Sequence, residues 1–598
     1  MASPKPTSLD DWTSKYSELA LPDQWPTQLW DSAWRDQINV FSWEDVVRDN
    51  QPVPASELPV PSRICVMKGA AGELTSFQTK DIYVRDEYIN ITRRMVAFAT
   101  YPGSDPVDSE VGGVKSSCVG NSERLPTNPF QQANMENLPF IMQVCSSPAN
   151  GKSLFLHVLL RLRLNARLPT LLQFENEACY LFSDRGAHII GPSTLARESS
   201  LAQDLGRLIP DAWCLVDSNV DMPIPSPFTR YAGLTIVQTE SPREDRLKWA
   251  GKHTRSLKIF YMQPFNLTEA IVARSMQMTP HLPSERQLQL WYDRYTPSVR
   301  LAYQWAARID EYESSLDQKL RQYSGSVLSL PAPLRGLGAF TFFTTTDADK
   351  LSLELFVVYP TANTADYVCD TPTRHLARKV IHAVNARTYA EHAKFREVLH
   401  VPGLSALGEH LMEELANKLL PQGRTPQQLH KLEFDEHAGD NDQQHWAVDR
   451  NSAYRPLWFV VGADPHPVTI NTSPIRPRPS STHALVPLEY DTRTLALQNG
   501  RFYVPRKPPD STQAMLDLDS FIYQDGTAYL LQYAVARGRH AVRTGGLAFL
   551  RGLGVARVVY VGVVPAGQRP TFVVERAAAE LCGGVIVDRY LLDFEGPG

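Results

Sequence analysis

Apolar runs and amphipathic stretches alternate along residues 136–310. A hairpin, Tyr180–Phe182 and His188–Ile190 around an Asp-Arg-Gly turn, interrupts the alternation. Strand followed by helix, several times over, is typical of a parallel sheet with helices on both faces. The pattern therefore predicts an α/β domain here, with strands at Phe140–Cys145, Thr170–Phe174, Trp213–Asp217, Leu234–Thr239 and Leu257–Met262.

The residues before this region are less regular. A short helix is predicted around Leu29–Val40, and residues 63–100 are predicted to form a small β unit. Its strands are Ile64–Met67, Asp81–Val84 and Ile89–Phe98. Residues 102–135 are rich in Gly, Ser, Pro and Asn and are predicted to be a linker.

The residues after this region are predicted to form two further parts. Helices are predicted at Ile309–Tyr323, Thr373–Val398 and Ala406–Leu420, with strands at Ala339–Thr345 and Ser352–Tyr359, before strand-rich sequence to the end. We therefore predict an α/β multidomain protein. Its parts are an N-terminal region 1–135, an α/β domain 136–310, a connector 311–400 and a C-terminal α/β domain 401–598.

The composition limits the classes of protein to which this chain can belong. A chain of 598 residues suggests roughly three or four domains. A net charge of −5 excludes a polyanion-binding surface over the whole protein, so any contact with nucleic acid must be a local basic patch. The seven cysteines lack a zinc-ligand spacing and suggest reduced thiols. The N-terminus lacks the apolar stretch of a signal peptide, and no apolar run reaches the length of a membrane span. We therefore expect an intracellular protein without a membrane anchor.

The strongest chemical motif is Gly151-Lys152-Ser153, which stands between an apolar strand and an apolar helix. This is the layout of a phosphate-binding loop, in which backbone N–H groups at a helix start hold phosphate. Lys152 is predicted to reach the β and γ oxygens, and Ser153 to hold Mg²⁺. Ser146 occupies the position where the usual pattern has its first Gly. We predict a nucleotide site here, lined by Ser146, Asn150, Gly151, Lys152 and Ser153.

Besides the loop, such a site needs an acidic residue on the opposite side. This residue lies at the tip of an apolar strand and holds Mg²⁺ through water. Asp217 ends the run Trp-Cys-Leu-Val-Asp and fits this role. The intervening strand Thr170–Phe174 suggests the subclass in which an additional strand separates the loop strand from the acidic strand. That subclass often has Glu directly after the Asp to polarise water, but Ser218 stands there. Slow hydrolysis, another base, or binding without rapid turnover are the open alternatives.

Two further polar groups are candidates for the phosphate site. The strand Leu234–Thr239 runs into Glu-Ser-Pro, so Thr239 or Ser241 would contact the γ-phosphate; a capped loop is the alternative. Arg300 lies in a predicted helix and is a candidate phosphate-sensing arginine, although most such arginines are surface salt-bridge partners.

The C-terminal domain carries a different set of groups. Two apolar runs joined by an Asp-Gly turn predict a β-hairpin, with Asp519 on one strand and Gln532 on the next. The order of elements is similar to that of restriction-endonuclease-like nucleases, where carboxylates hold Mg²⁺ and a Lys activates water. Ala534 occupies the position of that Lys, with His540 downstream as a substitute and Glu413 as a carboxylate from a helix. The predicted catalytic set is Glu413, Asp519, Gln532 and His540, the first three as metal ligands.

Taken together, the two regions resemble the Crinkler effector family and the related retrotransposon-hot-spot proteins. The resemblance rests on residues 146–153, Trp213–Asp217, Ser241-Pro242 and Trp249, Gly408–Glu413, and the run Phe502–Pro505, Asp519-Ser520-Phe521, Gln532, His540 and Gly546-Leu547. It covers about residues 136–580. It implies a P-loop NTPase domain coupled to a restriction-endonuclease-like domain that acts on DNA, often in a nucleus.

These observations lead to three functional hypotheses. The first is an ATP-dependent enzyme that cleaves DNA with Mg²⁺. The second is a nucleotide-gated protein whose C-terminal domain binds nucleic acid or protein without cleavage, which the absent Lys favours. The third is a switch that only turns over ATP. The choice between ATP and GTP, secretion as an effector and the oligomeric state stay open.

Overall fold

The computed structural model describes the chain in ranges separated by gaps. These are residues 5–38, 41–50, 52–54, 58–69, 79, 81–100, 127–131, 139–147, 150–196, 199–219, 222–240, 249–252, 256–278, 281–328, 354–360, 367–385, 412–413, 416–417, 420–422, 427–434, 443–449, 457–461, 468–471, 485, 487–490, 495–505, 520–534, 539–542, 545–565, 569–575 and 586–594. They belong to two compact units, residues 1–373 and 374–598. Both units are α/β.

The helices of the described ranges include one short π-helical segment, Asp31–Arg35, which continues the second helix. The α-helices are α1 Leu9–Tyr16, α2 Trp25–Trp30, α3 Asp86–Thr100, α4 Lys152–Asn165, α5 Pro192–Leu195, α6 Ser199–Leu208, α7 Pro227–Tyr231, α8 Leu267–Ala273, α9 Glu285–Arg294, α10 Val299–Trp305, α11 Ile309–Leu328, α12 Arg374–Asn385 and α13 Gly545–Gly552.

The strands of the first unit form three sheets. They are β1 Glu18–Leu19, β2 Phe41–Asp45, β3 Arg63–Lys68, β4 Asp81–Tyr83, β5 Ile141–Cys145, β6 Thr170–Gln173, β7 Cys179–Ser183, β8 Gly186–Ile190, β9 Trp213–Asp217, β10 Thr235–Glu240, β11 Leu257–Tyr261, β12 Val357–Pro360 and β13 Tyr367–Asp370.

The largest of these sheets has eight strands in the order β1-β8-β7-β6-β9-β10-β5-β11. Its centre, β6-β9-β10-β5-β11, is parallel, and the hairpin β7-β8 with the short strand β1 extends one edge in the antiparallel sense. The predicted parallel sheet is thereby confirmed, because all five predicted strands lie in it within about one residue of their predicted bounds. Strands β5, β6, β9 and β10 are almost entirely buried, as strands covered on both faces require, whereas the edge strand β11 is partly exposed.

One predicted strand of the N-terminal region is wrong. Residues 89–98 lie in helix α3, not in a strand. The buried positions of this helix include Tyr88, Ile91, Thr92, Met95 and Ala99, which recur every three or four residues. That spacing is the period of a helix, and it outweighed the preference of Ile and Thr for strands.

Helix α3 shares a core with α4. Buried residues of both helices, among them Tyr88, Met95, Phe155 and Leu159, form one apolar cluster with β5, β9 and β10. A second cluster covers the opposite face of the sheet and includes α6 and Trp249. The N-terminal residues therefore form part of the core of the first unit, and the parallel sheet lies between two apolar layers.

The second unit is built on a mixed sheet of twelve strands in the order β18-β19-β20-β21-β23-β25-β14-β15-β24-β22, with β16 and β17 branching from β14. The strands are β14 Gln427–Phe434, β15 Gln443–Val448, β16 Leu457–Val461, β17 Val468–Asn471, β18 Pro487–Tyr490, β19 Arg501–Pro505, β20 Phe521–Gln524, β21 Thr527–Tyr533, β22 Arg539–Ala541, β23 Arg557–Pro565, β24 Thr571–Glu575 and β25 Ile586–Phe594. The predicted hairpin is confirmed as β20-β21, which turns at Asp525 and Gly526 with positive φ at both.

Candidate nucleotide site

The site lies where β5 ends and α4 begins. Gly151 precedes the helix with φ +78°, a left-handed conformation that favours glycine, and its carbonyl accepts the first helical bond from Phe155 N at 2.9 Å. A Cβ at position 151 would lie 2.1 Å from the hydroxyl oxygen of Tyr88. Only glycine therefore fits this point of the chain, for reasons of both conformation and space.

Two residues of the N-terminal region donate hydrogen bonds to the end of this loop. The Tyr88 hydroxyl donates to the carbonyl of Gly151 at 2.9 Å. Arg85 is buried, pairs with both carboxylate oxygens of Glu269 at 2.8 and 2.9 Å, and donates to the carbonyl of Asn150 at 3.5 Å. Burial alone would lower the pKa of Arg85, but Glu269 raises it above its ordinary value. The end of the loop is therefore attached to a buried, charged anchor.

Lys152 folds back over the loop. Its Nζ donates to the carbonyl oxygens of Ser146 and Ser147, both at 2.9 Å. Asn150 donates from Nδ2 to the Ser146 hydroxyl at 3.2 Å, and both side chains are fully buried. Ser146 thus contacts both Lys152 and Asn150, and Ser153 is half-buried in the first turn of α4. The Ser147 hydroxyl in addition accepts from the backbone N–H of Val358 at 2.8 Å, which ties β12 to the loop.

Asp217 ends β9 on the face of the sheet against which α4 packs. Its Oδ1 accepts from the Thr239 hydroxyl at 2.7 Å, and the two residues pair in register. One strand separates β9 from β5, as the sequence suggested, but that strand is β10. The segment named for this role, Thr170–Phe174, contains β6, which lies on the far side of β9. The order differs because chain order does not set the order of strands in a parallel sheet.

Three other residues were predicted to contact phosphate, and the structure brings none of them to the loop among the contacts that it describes. Thr239 binds Asp217 as described. Arg300 lies in α10 with its side chain exposed. Ser241 lies outside the described residues.

A network of buried polar side chains occupies the opposite face of the same sheet end. Gln238 donates from Nε2 to the Ser218 hydroxyl at 2.6 Å and to Glu240 Oε2 at 3.3 Å. Its Oε1 accepts from Trp249 Nε1 at 3.0 Å. Cys145 Sγ lies 3.8 Å from Glu240 Oε1. Sequence reasoning passed over Glu240, although it directly follows the candidate Thr239.

The charges of Lys152 in the loop and of Glu240 in this network both act on Cys145. Burial and the nearby carboxylate of Glu240 raise the pKa of the Cys145 thiol well above its ordinary value, while Lys152 acts in the opposite direction. These effects favour the protonated form of the thiol. Cys65, Cys179 and Cys214 are likewise free and buried, in agreement with the predicted reduced state.

The predicted catalytic residues of the second unit are only partly described. Gln532 is buried in β21, and its Oε1 accepts from the Tyr560 hydroxyl at 2.9 Å. Glu413 is buried in a short helical stretch, whose neighbours Met412 and Ala416 pack with Leu531 and Tyr533. Since side chains alternate along a strand, Gln532 points to the other face of the sheet.

The side chains of the other two predicted catalytic residues are not among those that the structure describes. Asp519 lies outside the described residues, and His540 is described only as part of the backbone of β22. Ala534 is fully buried in an apolar cluster. No group of three His, Cys, Asp or Glu residues suited to a metal ion occurs among the residues that the structure describes. The nuclease site thus stays a prediction.

The second unit also contains an ion cluster that sequence reasoning missed. Arg569 pairs with both oxygens of Asp593 at 2.7 and 3.0 Å, and His430 Nε2 lies 3.1 Å from Asp593 Oδ2. Burial would raise the pKa of Asp593, but His430 and Arg569 together lower it. Three distant segments of sequence meet here, so spacing along the chain gave no signal.

Comparison with known proteins adds no family assignment. Neither the models of protein families nor the curated proteins that were searched match this sequence. Among the described helices, none is long and apolar enough to cross a membrane.

Proposed function

We propose that this protein binds ATP at the loop formed by residues 146–153. The observation that carries the proposal is that Lys152 Nζ donates to the carbonyl oxygens of Ser146 and Ser147, both at 2.9 Å. A phosphate oxygen is a stronger acceptor for an ammonium group than a neutral carbonyl. Phosphate would therefore replace these two bonds without moving the helix that carries the lysine.

The backbone adds to this attraction. Helix α4 begins at Lys152, and the described residues place no side-chain cap on its first turn. The N–H groups of the first turn and the dipole of a helix start favour an anion. The 14-residue helix is held from both sides, since its residues share a core with α3 and with the sheet. We therefore propose that the start of α4 receives the triphosphate.

The oxygen groups near the loop fit Mg²⁺. Ser153 offers a hydroxyl and Asp217 a carboxylate, which are the hard donors that this ion prefers. Mg²⁺ in nucleotide sites retains several waters and uses few protein ligands, so a cluster of three acidic side chains is not required. Bound there, the ion would neutralise charge on the β and γ oxygens.

The topology supports the same proposal. A single strand, β10, lies between the strand before the loop and the strand that ends in Asp217. This is the arrangement of the additional-strand subclass of P-loop NTPases that the sequence resembles. We accordingly propose ATP hydrolysis, and not binding alone, as the activity of the first unit.

Isothermal titration calorimetry with ATP and Mg²⁺ tests the proposal. The wild-type chain is expected to bind, and Lys152→Ala to weaken binding by roughly 30- to 100-fold, since two charge-assisted hydrogen bonds are lost. Lys15→Ala is the matched control, because Lys15 is an exposed helix residue that pairs with Asp11 in the neighbouring turn. Absence of heat with the wild type, or equal affinity of the Lys152 variant, would refute the site. Titration with GTP decides the base preference.

For the second unit we propose binding of DNA without cleavage. The packing of Ala534 in the apolar core favours this over nuclease activity, because no cation is available at the position of the usual Lys. The amide of Gln532 is in addition engaged by Tyr560. Gel-shift and Mg²⁺-dependent cleavage assays on the same DNA separate the two functions. Cleavage that Asp519→Ala abolishes would establish the nuclease instead.

A further inference from the structure

Strand β10 places the carboxylate of Glu240 beside position 218, where the sequence has no carboxylate. Position 218, directly after Asp217, is where related NTPases often have a water-activating Glu, and here it is Ser. Thr239 on β10 pairs with Asp217, and Ser218 N donates to the carbonyl of Thr239 at 3.0 Å. Glu240 therefore lies one step beyond Thr239, as Ser218 lies one step beyond Asp217. The two residues occupy the same level of neighbouring strands.

Side-chain contacts place Ser218 and Glu240 on the same face. Gln238 donates from one amide nitrogen to both, at 2.6 Å to the Ser218 hydroxyl and 3.3 Å to Glu240 Oε2. Trp249 donates to the amide oxygen of Gln238 and so fixes which end of the amide faces the carboxylate. The carboxylate is thereby oriented by a rigid, buried neighbour.

Glu240 is also closer to the loop than Ser218. Strand β10 borders β5 directly, whereas β9 does not. Glu240 pairs with Cys145, the last residue of β5, and its carbonyl accepts from Ser146 N at 3.3 Å. The Glu240 carboxylate lies 3.8 Å from Cys145 Sγ, and Lys152 Nζ donates to the carbonyl of the next residue, Ser146, at 2.9 Å, so both charges contact adjacent residues at the start of the loop.

We propose that Glu240 is the general base of ATP hydrolysis in this protein, in place of the Glu that position 218 lacks. The inference rests on the proposed nucleotide site. In the step it catalyses, the oxygen of a water attacks the γ-phosphorus, and the bond between that phosphorus and the β,γ-bridging oxygen breaks. The proton of the water passes to the Glu240 carboxylate, and ADP and inorganic phosphate are released.

A buried carboxylate suits this role. Glu240 has no exposed surface, so its charge is poorly solvated and a proton from a nearby water is a favourable partner. General bases contribute about 100- to 10,000-fold to a rate. Removal of the base should lower turnover by that factor and leave binding of the triphosphate to Lys152 intact.

Glu240→Gln tests the proposal, because the substitution keeps the shape and one of the two acceptor oxygens and removes the base. Turnover of ATP is expected to fall at least about 100-fold, with the ATP dissociation constant changed less than threefold. Glu177→Gln, at an exposed position, is the matched control and is expected to retain wild-type turnover. Should Glu240→Gln unfold, Glu240→Asp retains the charge but withdraws it by one methylene, and is expected to lose about tenfold in turnover at unchanged affinity.

The outcomes separate this inference from the proposed function. Wild-type turnover by either Glu240 variant overturns the assignment of the base and leaves the nucleotide site standing. Joint loss of binding and turnover in a folded variant assigns a structural role to Glu240 and likewise overturns it. A wild-type chain that binds ATP without hydrolysis removes the base and the proposed hydrolysis but leaves the binding site, and one that does not bind ATP removes all three.

Discussion

Gly151→Ala tests whether the N-terminal region supports the loop. Gly151 has a left-handed backbone, and the new methyl group would lie 2.1 Å from the Tyr88 hydroxyl oxygen and 3.1 Å from a ring carbon of Phe265. Tyr88 is buried and donates to the carbonyl of Gly151 itself, so it cannot rotate away without loss of that bond. The substitution therefore strains the backbone and displaces the brace.

The expected loss has two parts. A left-handed alanine costs about 1–2 kcal/mol relative to glycine. The overpacking against Tyr88 adds about 1–3 kcal/mol. Together they predict that Gly151→Ala lowers the free energy of unfolding of the first unit by about 2–5 kcal/mol, and that it weakens ATP binding.

Gly233→Ala separates these two parts. Gly233 also has a left-handed backbone, with φ +73°, but a Cβ there would meet no atom within 4 Å. It is expected to show the strain alone, about 1–2 kcal/mol. Combining Gly151→Ala with Tyr88→Phe removes the oxygen that the methyl group meets, and should recover part of the difference.

Urea denaturation followed by tryptophan fluorescence provides the measurement. Of the eleven tryptophans only Trp446 and Trp458 lie in the second unit, so the signal reports mainly the first. ATP titration of each folded variant gives the effect on binding. Equal destabilisation by Gly151→Ala and Gly233→Ala would refute the proposed packing of Tyr88 against the loop.

Three further substitutions test other parts of the structure. Asp217→Asn is expected to raise the Mg²⁺ concentration needed for ATP binding about tenfold, measured by calorimetry at several Mg²⁺ concentrations; an unchanged requirement would exclude Asp217 as a metal contact. Glu285→Gln breaks the buried pair with Arg48 and should lower the unfolding free energy by about 3 kcal/mol at neutral pH. Burial raises the pKa of Glu285, but Arg48 and two backbone N–H groups lower it below 4.5 overall. The stabilisation is thus complete above pH 4.5 and lost as the pH falls through the folded-state pKa, and a constant difference from pH 7 to 3 would contradict this. Gly562→Ala places a methyl group 2.4 Å from the ring of Phe572 and should destabilise the second unit by about 1–3 kcal/mol in thermal unfolding, whereas an unchanged midpoint would speak against this packing.

The predictions from sequence succeeded where the signal was local and strong. Each strand of the parallel sheet was predicted from a short run rich in apolar residues, because strands covered on both faces bury apolar side chains. The hairpin β20-β21 followed from its Asp-Gly turn. Helix α3 was misread as a strand because its Ile and Thr residues favour strands, although its buried positions recur with helical spacing.

Chain order alone determined that a strand, a glycine, a lysine and a serine stand together at a helix start, since these groups are neighbours in sequence. Tertiary structure decided the rest of the site. The order of strands placed β10 beside the loop, and with it Glu240, at a level that no spacing in the sequence reveals. Arg85 and Tyr88 reach the loop from more than sixty residues away. Contacts between distant segments depend on how the apolar faces of the elements pack, and linear periodicity specifies which face is buried but not which partner covers it.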